Sequence, residues 1–250
     1  MNHLLGEIIG TMLLILLGDG VVANVLLAKT KGNNGGWIVI TWAWGMAVFV
    51  GVFAVASVSG AHLNPAVTIG LAINGNIGWG DVPTYIIGQF IGAFIGATLV
   101  WLAYLPHWAP TEDKGLKLAV FCTGPAIRSP IENLVTEIIG TFTLVFGVFL
   151  IKGVTMTSGA SVAVVSMGAL GALPVALLVL AIGLSLGGPT GYAINPARDL
   201  GPRIMHFLLP IAGKGDSDWG YSWIPVVGPI VGAIIAALLY GALHAAGAGF

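Results

Sequence analysis

The tripeptide Asn-Pro-Ala occurs twice, as Asn64-Pro65-Ala66 and Asn195-Pro196-Ala197, 131 residues apart and in matching surroundings. At that shift Ser59 through Val67 aligns with Thr190 through Arg198, and at a shift of 130 Glu7-Ile8-Ile9-Gly10-Thr11 echoes Glu137-Ile138-Ile139-Gly140-Thr141. A chain that repeats itself in this way is built as two related halves.

The solvent of those halves follows from charge. Only 8% of the residues are charged and 57% are hydrophobic, against about 25% charge in a soluble domain. Apolar runs predict six spans, near residues 4–28, 37–57, 82–105, 131–151, 172–187 and 225–246, most of them long enough to cross a bilayer. Met1-Asn2-His3 supplies no basic flank, so the first run reads as a retained span rather than a signal peptide. Three spans per half is an odd number, so the second half enters the membrane from the opposite side. Inverted repeats of this kind recur in permeation proteins, with the solute path where the halves meet.

Asn is a strong N-cap and Pro suits the first helical position, so each tripeptide starts a helix. The helices at Pro65 and Pro196 meet Asn74-Gly75-Asn76 and Pro210 too soon to cross, and read as re-entrant half-helices entering from opposite faces. Non-helical backbone before them is tolerable at membrane depth only when it is buried or lines a watery path. The carbonyls of Gly60, Ala61, His62, Leu63 and of Gly191, Tyr192, Ala193, Ile194 are therefore expected to form a ladder of acceptors. Both half-helix N-termini carry partial positive charge, and the Asn64 and Asn195 amides are expected to orient a passing oxygen and break a proton wire. Glu7 and Glu137, at equivalent places, are expected to accept backbone N–H groups from those non-helical segments, because no further acidic or His chain continues from them as a proton relay. Asp19 is expected at a pore mouth or a subunit interface.

Two Asn-Pro-Ala half-helices within two three-span repeats resemble the aquaporin and glycerol facilitator family, over nearly the whole chain. The resemblance implies an all-α membrane fold of hourglass shape, with six transmembrane helices plus two re-entrant half-helices. The first inverted repeat would occupy residues 1–105, a connecting loop 106–130, and the second repeat 131–250, in one integral membrane domain. It implies a homotetramer with one pore per subunit. Asp199, Arg203 and Pro225 look like the glycerol-conducting branch. The branch's selectivity filter falls on Trp44, twenty residues before Asn64, on Gly183, eight before Gly191, and on Tyr192 and Arg198, with Tyr replacing the more usual Phe.

The chemistry suits that set. A solute with a carbon backbone and hydroxyls needs aromatic faces opposite a donor cluster. Trp44 and Tyr192 would supply faces, Arg198 forked donors and a fixed charge, Gly183 room, and Asp199 support. Trp37, Trp42, Trp79, Trp101, Trp108, Trp219 and Trp223 read as interfacial anchors. The Gly88, Gly92, Gly96 and Gly228, Gly232 series read as close helix packing. His62 is expected to turn its carbonyl to the pore and pack its ring aside. Cys122 alone supports neither a disulfide nor a metal site.

The expected function is a passive channel for glycerol, other small neutral solutes and water, excluding protons and ions. A water-selective channel, or a preference for dihydroxyacetone, urea or protonated lactic acid, is the alternative. No catalytic residue, cofactor, metal or nucleic-acid partner is expected. An ion-coupled transporter would need polar groups gathered at the midplane, and a membrane enzyme a nucleophile, metal cluster or acid–base pair. The positive-inside rule would put Lys29, Lys31, Lys114, Lys117, Arg128 and Lys214 in the cytoplasm. The resemblance implies the reverse, a multi-pass cell-membrane protein with both termini cytoplasmic, and is preferred because the charges are few. Residues 153–171 read as a linker or an early start of the fifth span, and 106–130 as an exposed connection shaping the pore entrance.

Overall fold

A computed structural model describes residues 2–158 and 161–247 of the 250. In the first half it contains α1 (Asn2–Leu26), α2 (Trp37–Ser59), α3 (Pro65–Ile73) and α4 (Val82–Ala103). The connection holds α5 (Leu105–Trp108) and α6 (Lys114–Phe121). The second half contains α7 (Pro130–Leu150), strands β1 (Val154–Ser158) and β2 (Ser161–Val165), α8 (Leu173–Leu186), α9 (Pro196–Leu208) and α10 (Ile224–Ala245). Six of these elements are long and apolar enough to cross a membrane: α1, α2, α4, α7, α10 and α8. The last qualifies because a 3₁₀ turn, Gly168–Ala172, extends its 14 residues into a 19-residue segment.

The two halves pack alike. In the first, α1 lies against α4 and α2, and in the second α7 lies against α10 and α8. Glycine permits the closest approaches. A Cβ on Gly92 of α4 would stand 2.4 Å from the Ile8 carbonyl oxygen of α1, and one on Gly232 of α10 would stand 2.4 Å from that of Ile138 on α7. Backbones that near exchange dispersion contacts that larger side chains would prevent. On α4 an adjoining face carries Ile87, Ile91 and Ile95, all exposed and each one residue before the buried Gly88, Gly92 and Gly96. With Leu5 and Ile9 on α1, Ile131, Val135 and Ile139 on α7, and Leu238 on α10 also exposed, the apolar surface faces outward, as lipid requires.

Two segments differ from their sequence expectation. Residues 153–171 hold an antiparallel hairpin rather than a linker, with Val154 paired to Val165 and Ser158 to Ser161, while the 3₁₀ turn from Gly168 gives the fifth span an early start, the other expectation. Val and Thr are frequent in the hairpin, and β-branched side chains favour extended backbone. Residues 106–130 are partly buried rather than an exposed connection. Asp113 caps α6 by accepting from the N–H groups of Gly115 (2.7 Å) and Leu116 (3.2 Å). Trp108, expected at the interface, is 1% exposed, stacks on Phe121 and donates to the Trp101 carbonyl at 3.0 Å.

Candidate functional site

The half-helices α3 and α9 begin as expected of their sequence. Asn64 caps α3, its Oδ1 accepting from Ala66 N–H at 2.8 Å, and Asn195 caps α9, its Oδ1 accepting from Ala197 (3.0 Å) and Arg198 (3.2 Å). Committing each Oδ1 to its own helix turns each amide nitrogen outward, and the nitrogens then cross between the halves. Asn64 Nδ2 donates to the Ile194 carbonyl and Asn195 Nδ2 to the Leu63 carbonyl, both at 2.8 Å. An amide nitrogen carries two hydrogens, so one joins the halves and one is left for the lumen beside it. The sequence points to a donor for the lumen; the joining role comes from the structure.

The backbone before each half-helix is held in an unusual shape. Gly60 and Gly191 have φ of 80° and 82°, and four residues with side chains share the left-handed region: Ala61 (54°), Leu63 (53°), Tyr192 (39°) and Ile194 (44°). Each such residue costs about 1–3 kcal/mol unless its surroundings enforce it. The enforcement comes from Glu7 and Glu137. Glu7 accepts from His62 N–H (3.1 Å), Leu63 N–H (2.7 Å) and Ser59 Oγ (2.7 Å). Glu137 accepts from Ala193 N–H (3.0 Å), Ile194 N–H (2.9 Å) and Thr190 Oγ1 (2.7 Å). With their N–H groups so bound, these segments can turn carbonyls elsewhere. Gln89, which the sequence reading passed over, donates to both Glu7 (2.8 Å) and Thr68 (2.9 Å). The His62 ring stacks on Tyr85 at 4.2 Å, and its Nδ1 lies 3.1 Å from Thr68 Oγ1.

Between the half-helices runs a cavity of about 240 Å³. Gly60, Ala61, His62, Leu63, Tyr192, Ala193 and Ile194 line it, with Asn64, Asn195, Trp44 and Arg198. Leu14, Val48, Val67, Leu144 and Val179 make much of the remaining wall apolar. Two further residues expected in the wall, Gly191 and Gly183, pack directly against their neighbours. Gly191 packs on Thr123, which a Cβ would meet at 3.2 Å. Gly183 stands behind Tyr192: a Cβ there would lie 2.8 Å from Tyr192 Cζ, and on Gly187 2.5 Å from Tyr192 Cδ1. The space that Gly183 supplies is thus occupied by the tyrosine ring rather than by open lumen. Trp37, expected as an interfacial anchor, donates its indole N–H to the Gly183 carbonyl at 3.0 Å and meets Tyr192 edge-on.

At the Trp44 and Tyr192 end, the Arg198 guanidinium lies over the Trp44 ring, 4.0 Å from its centroid. Arg198 Nη1 reaches Asp19 Oδ1 and the Phe121 carbonyl, each at 3.4 Å. Asp19 is therefore not on an outer face; it is fully buried within α1 beside this group. Asp199 secures the base of α9. It accepts from Thr123 N–H and Thr123 Oγ1, both at 2.7 Å, and pairs with Arg203 at 2.9 Å. Arg203 also donates to the carbonyls of Thr123 (2.8 Å) and Ser217 (2.9 Å), so one buried pair stitches two loops to the half-helix. Next to that seam, burial pushes the Cys122 thiol well above its ordinary pKa, leaving it neutral. Among the described residues no cluster of His, Cys, Asp and Glu is arranged to hold a metal ion.

A model of one family, the major intrinsic proteins, matches residues 1–240. The chain belongs to the major intrinsic protein family. It is 59% identical, over 92% of its length and 94% of the other's, to a probable glycerol uptake facilitator protein of Thermotoga maritima. It is 55% identical, with the same coverage, to the glycerol uptake facilitator protein of Streptococcus pneumoniae. The X-ray structure of the aquaglyceroporin from Plasmodium falciparum matches 96% of this chain and 95% of its own, with a TM-score of 0.81 at 30% identity. As a member of the major intrinsic proteins, a family of membrane channels, the chain has the six-span, two-half-helix fold expected of it.

Proposed function

We propose that the protein is a passive channel for glycerol, which also admits water and other small neutral solutes and excludes protons and ions. What supports this reading is the cavity lining, in which apolar residues such as Leu14, Val48, Val67 and Val179 share the wall with the non-helical residues before each half-helix and with Asn64 and Asn195. A three-carbon polyol matches such a surface, with its carbon edge on the apolar side and its hydroxyls exchanging water for fixed acceptors and donors. The facilitator names of the similar bacterial proteins agree with it.

Trp44, Tyr192 and Arg198 form the selectivity filter in this reading, and Gly183 acts on it by seating the Tyr192 ring. Asn64 and Asn195 mark the point where the solute oxygen is turned. The half-helix N-termini each direct about half a unit of positive charge there, which opposes a continuous proton wire. The two repeats, residues 1–105 and 131–250, enter the membrane from opposite sides. We assign the protein to the cell membrane with both termini cytoplasmic and one pore in each subunit of a homotetramer.

Uptake of labelled glycerol into proteoliposomes tests the channel reading. Uptake should rise linearly with glycerol concentration and ignore imposed sodium or proton gradients. Saturable uptake driven by either gradient would make the protein a coupled transporter instead.

A further inference from the structure

We infer that Asp19 is a specificity-determining residue, which positions Arg198 across the narrow end of the cavity. The inference rests on the filter reading above and extends it to a helix that the filter motif does not include.

A carboxylate with no exposed surface, in the interior of a membrane-crossing helix, is costly unless paired. Asp19 has one cationic partner, Arg198, through its Oδ1; its Oδ2 has no hydrogen-bond partner among the described residues. The pair is asymmetric in the chain. At the repeat shift of 130, Asp19 corresponds to Phe149, and at 131 Arg198 corresponds to Val67, so neither residue is part of the duplicated scaffold. Their placement serves the second half-helix alone.

The direction of the pull follows from Gly18. The Trp44 ring packs on Gly18, where a Cβ would lie 2.3 Å from Trp44 Cζ3, and Arg198 touches both that ring and Asp19, the next residue of α1, so the ion pair holds the guanidinium where it meets Trp44. The guanidinium rests there at 4.0 Å from the ring centroid, a contact distance that admits no carbon atom between them. This contact belongs to the cavity wall. Arg198, Trp44 and Tyr192 belong to it, and no residue of 105–130 or 186–191 does. In this inference a solute as wide as glycerol passes by moving the guanidinium off Trp44, and Asp19 opposes that movement. Asp19 also offsets the positive charge of Arg198, so the constriction attracts anions less than a free arginine would.

The test is the ratio of glycerol to water permeability in proteoliposomes, for Asp19→Asn in the native background and in an Arg198→Ala background. Loss of one charged hydrogen bond should raise the ratio roughly three- to tenfold in the first. In the second it should change nothing, because Asp19 acts only through Arg198. An unchanged ratio in the native background, or equal changes in both, would overturn the assignment. Should Asp19→Asn alone fail to reach the membrane, the double variant decides. Recovery with permeabilities equal to Arg198→Ala supports the pairing, and failure of the double variant also overturns it. Absence of glycerol flow through the unaltered protein would count against the channel reading; glycerol flow that ignores Asp19 counts against this inference alone.

Discussion

The two half-helix sites share their mechanics and differ in their chemistry. Gly60 and Gly191, Leu63 and Ile194, Asn64 and Asn195, and Glu7 and Glu137 occupy matched conformations with matched hydrogen bonds. Among the positions that do not match at a shift of 131 are Ala61 against Tyr192, Val67 against Arg198 and Thr68 against Asp199, beside His62 against Ala193. In the first half these residues are small or uncharged, and Thr68 bonds with Gln89 and His62. In the second they bring a ring and a guanidinium to the cavity and an ion pair behind it. The duplicated scaffold is symmetric, and the arginine at the cavity stands on one side of it. Charge is costly at membrane depth, and a single charged constriction suffices to discriminate.

The largest effect should come from the shared mechanics. Glu7→Ala and Glu137→Ala each leave two buried N–H groups and a hydroxyl without an acceptor, and each should cost at least about 3 kcal/mol. Thermal unfolding in detergent would measure this, and tolerance of one loss but not the other would break the equivalence. Gly92→Ala and Gly232→Ala come next. Each sets a Cβ against a carbonyl oxygen at 2.4 Å, and matched losses of about 1–3 kcal/mol are expected in the same assay.

The difference between the halves is probed by Arg198→Ala beside Val67→Ala. Proton leak through Arg198→Ala vesicles should rise on the order of tenfold, about 1.4 kcal/mol of lost barrier, with no comparable rise for Val67→Ala. A pH-sensitive dye inside the vesicles reads both, and equal leaks would place the barrier in the half-helix termini alone. The smallest effect is expected from Tyr192→Phe, which removes a buried hydroxyl that has no partner among the described residues. Stability should rise by up to about 1 kcal/mol, and a fall of that size would reveal a partner for the hydroxyl.

The sequence exposed what repeats and what is periodic. Six apolar runs, two capped short helices and the paired glutamates could be read because hydropathy, capping and duplication are local signals. Contacts between distant segments left no such trace. Nothing near Asp19 announces Arg198, 179 positions away, and nothing near Gln89 announces Glu7. Gly183 was legible as a small residue but not as the seat of a ring, because the motif fixes its place in the chain and not what turns toward it. Trp108 misled in the same way. A tryptophan near a span end is usually an anchor, and here tertiary packing buried the ring and gave its indole N–H a carbonyl partner instead.

The most direct test is stopped-flow light scattering on proteoliposomes under an outward-drawing glycerol gradient, with an internal dye following pH. Vesicles carrying the protein should shrink and then re-swell far faster than lipid alone, while an imposed pH gradient persists through the re-swelling. Fast shrinkage with no faster re-swelling would make this a water channel, and collapse of the pH gradient on the same timescale would contradict a pore restricted to neutral solutes.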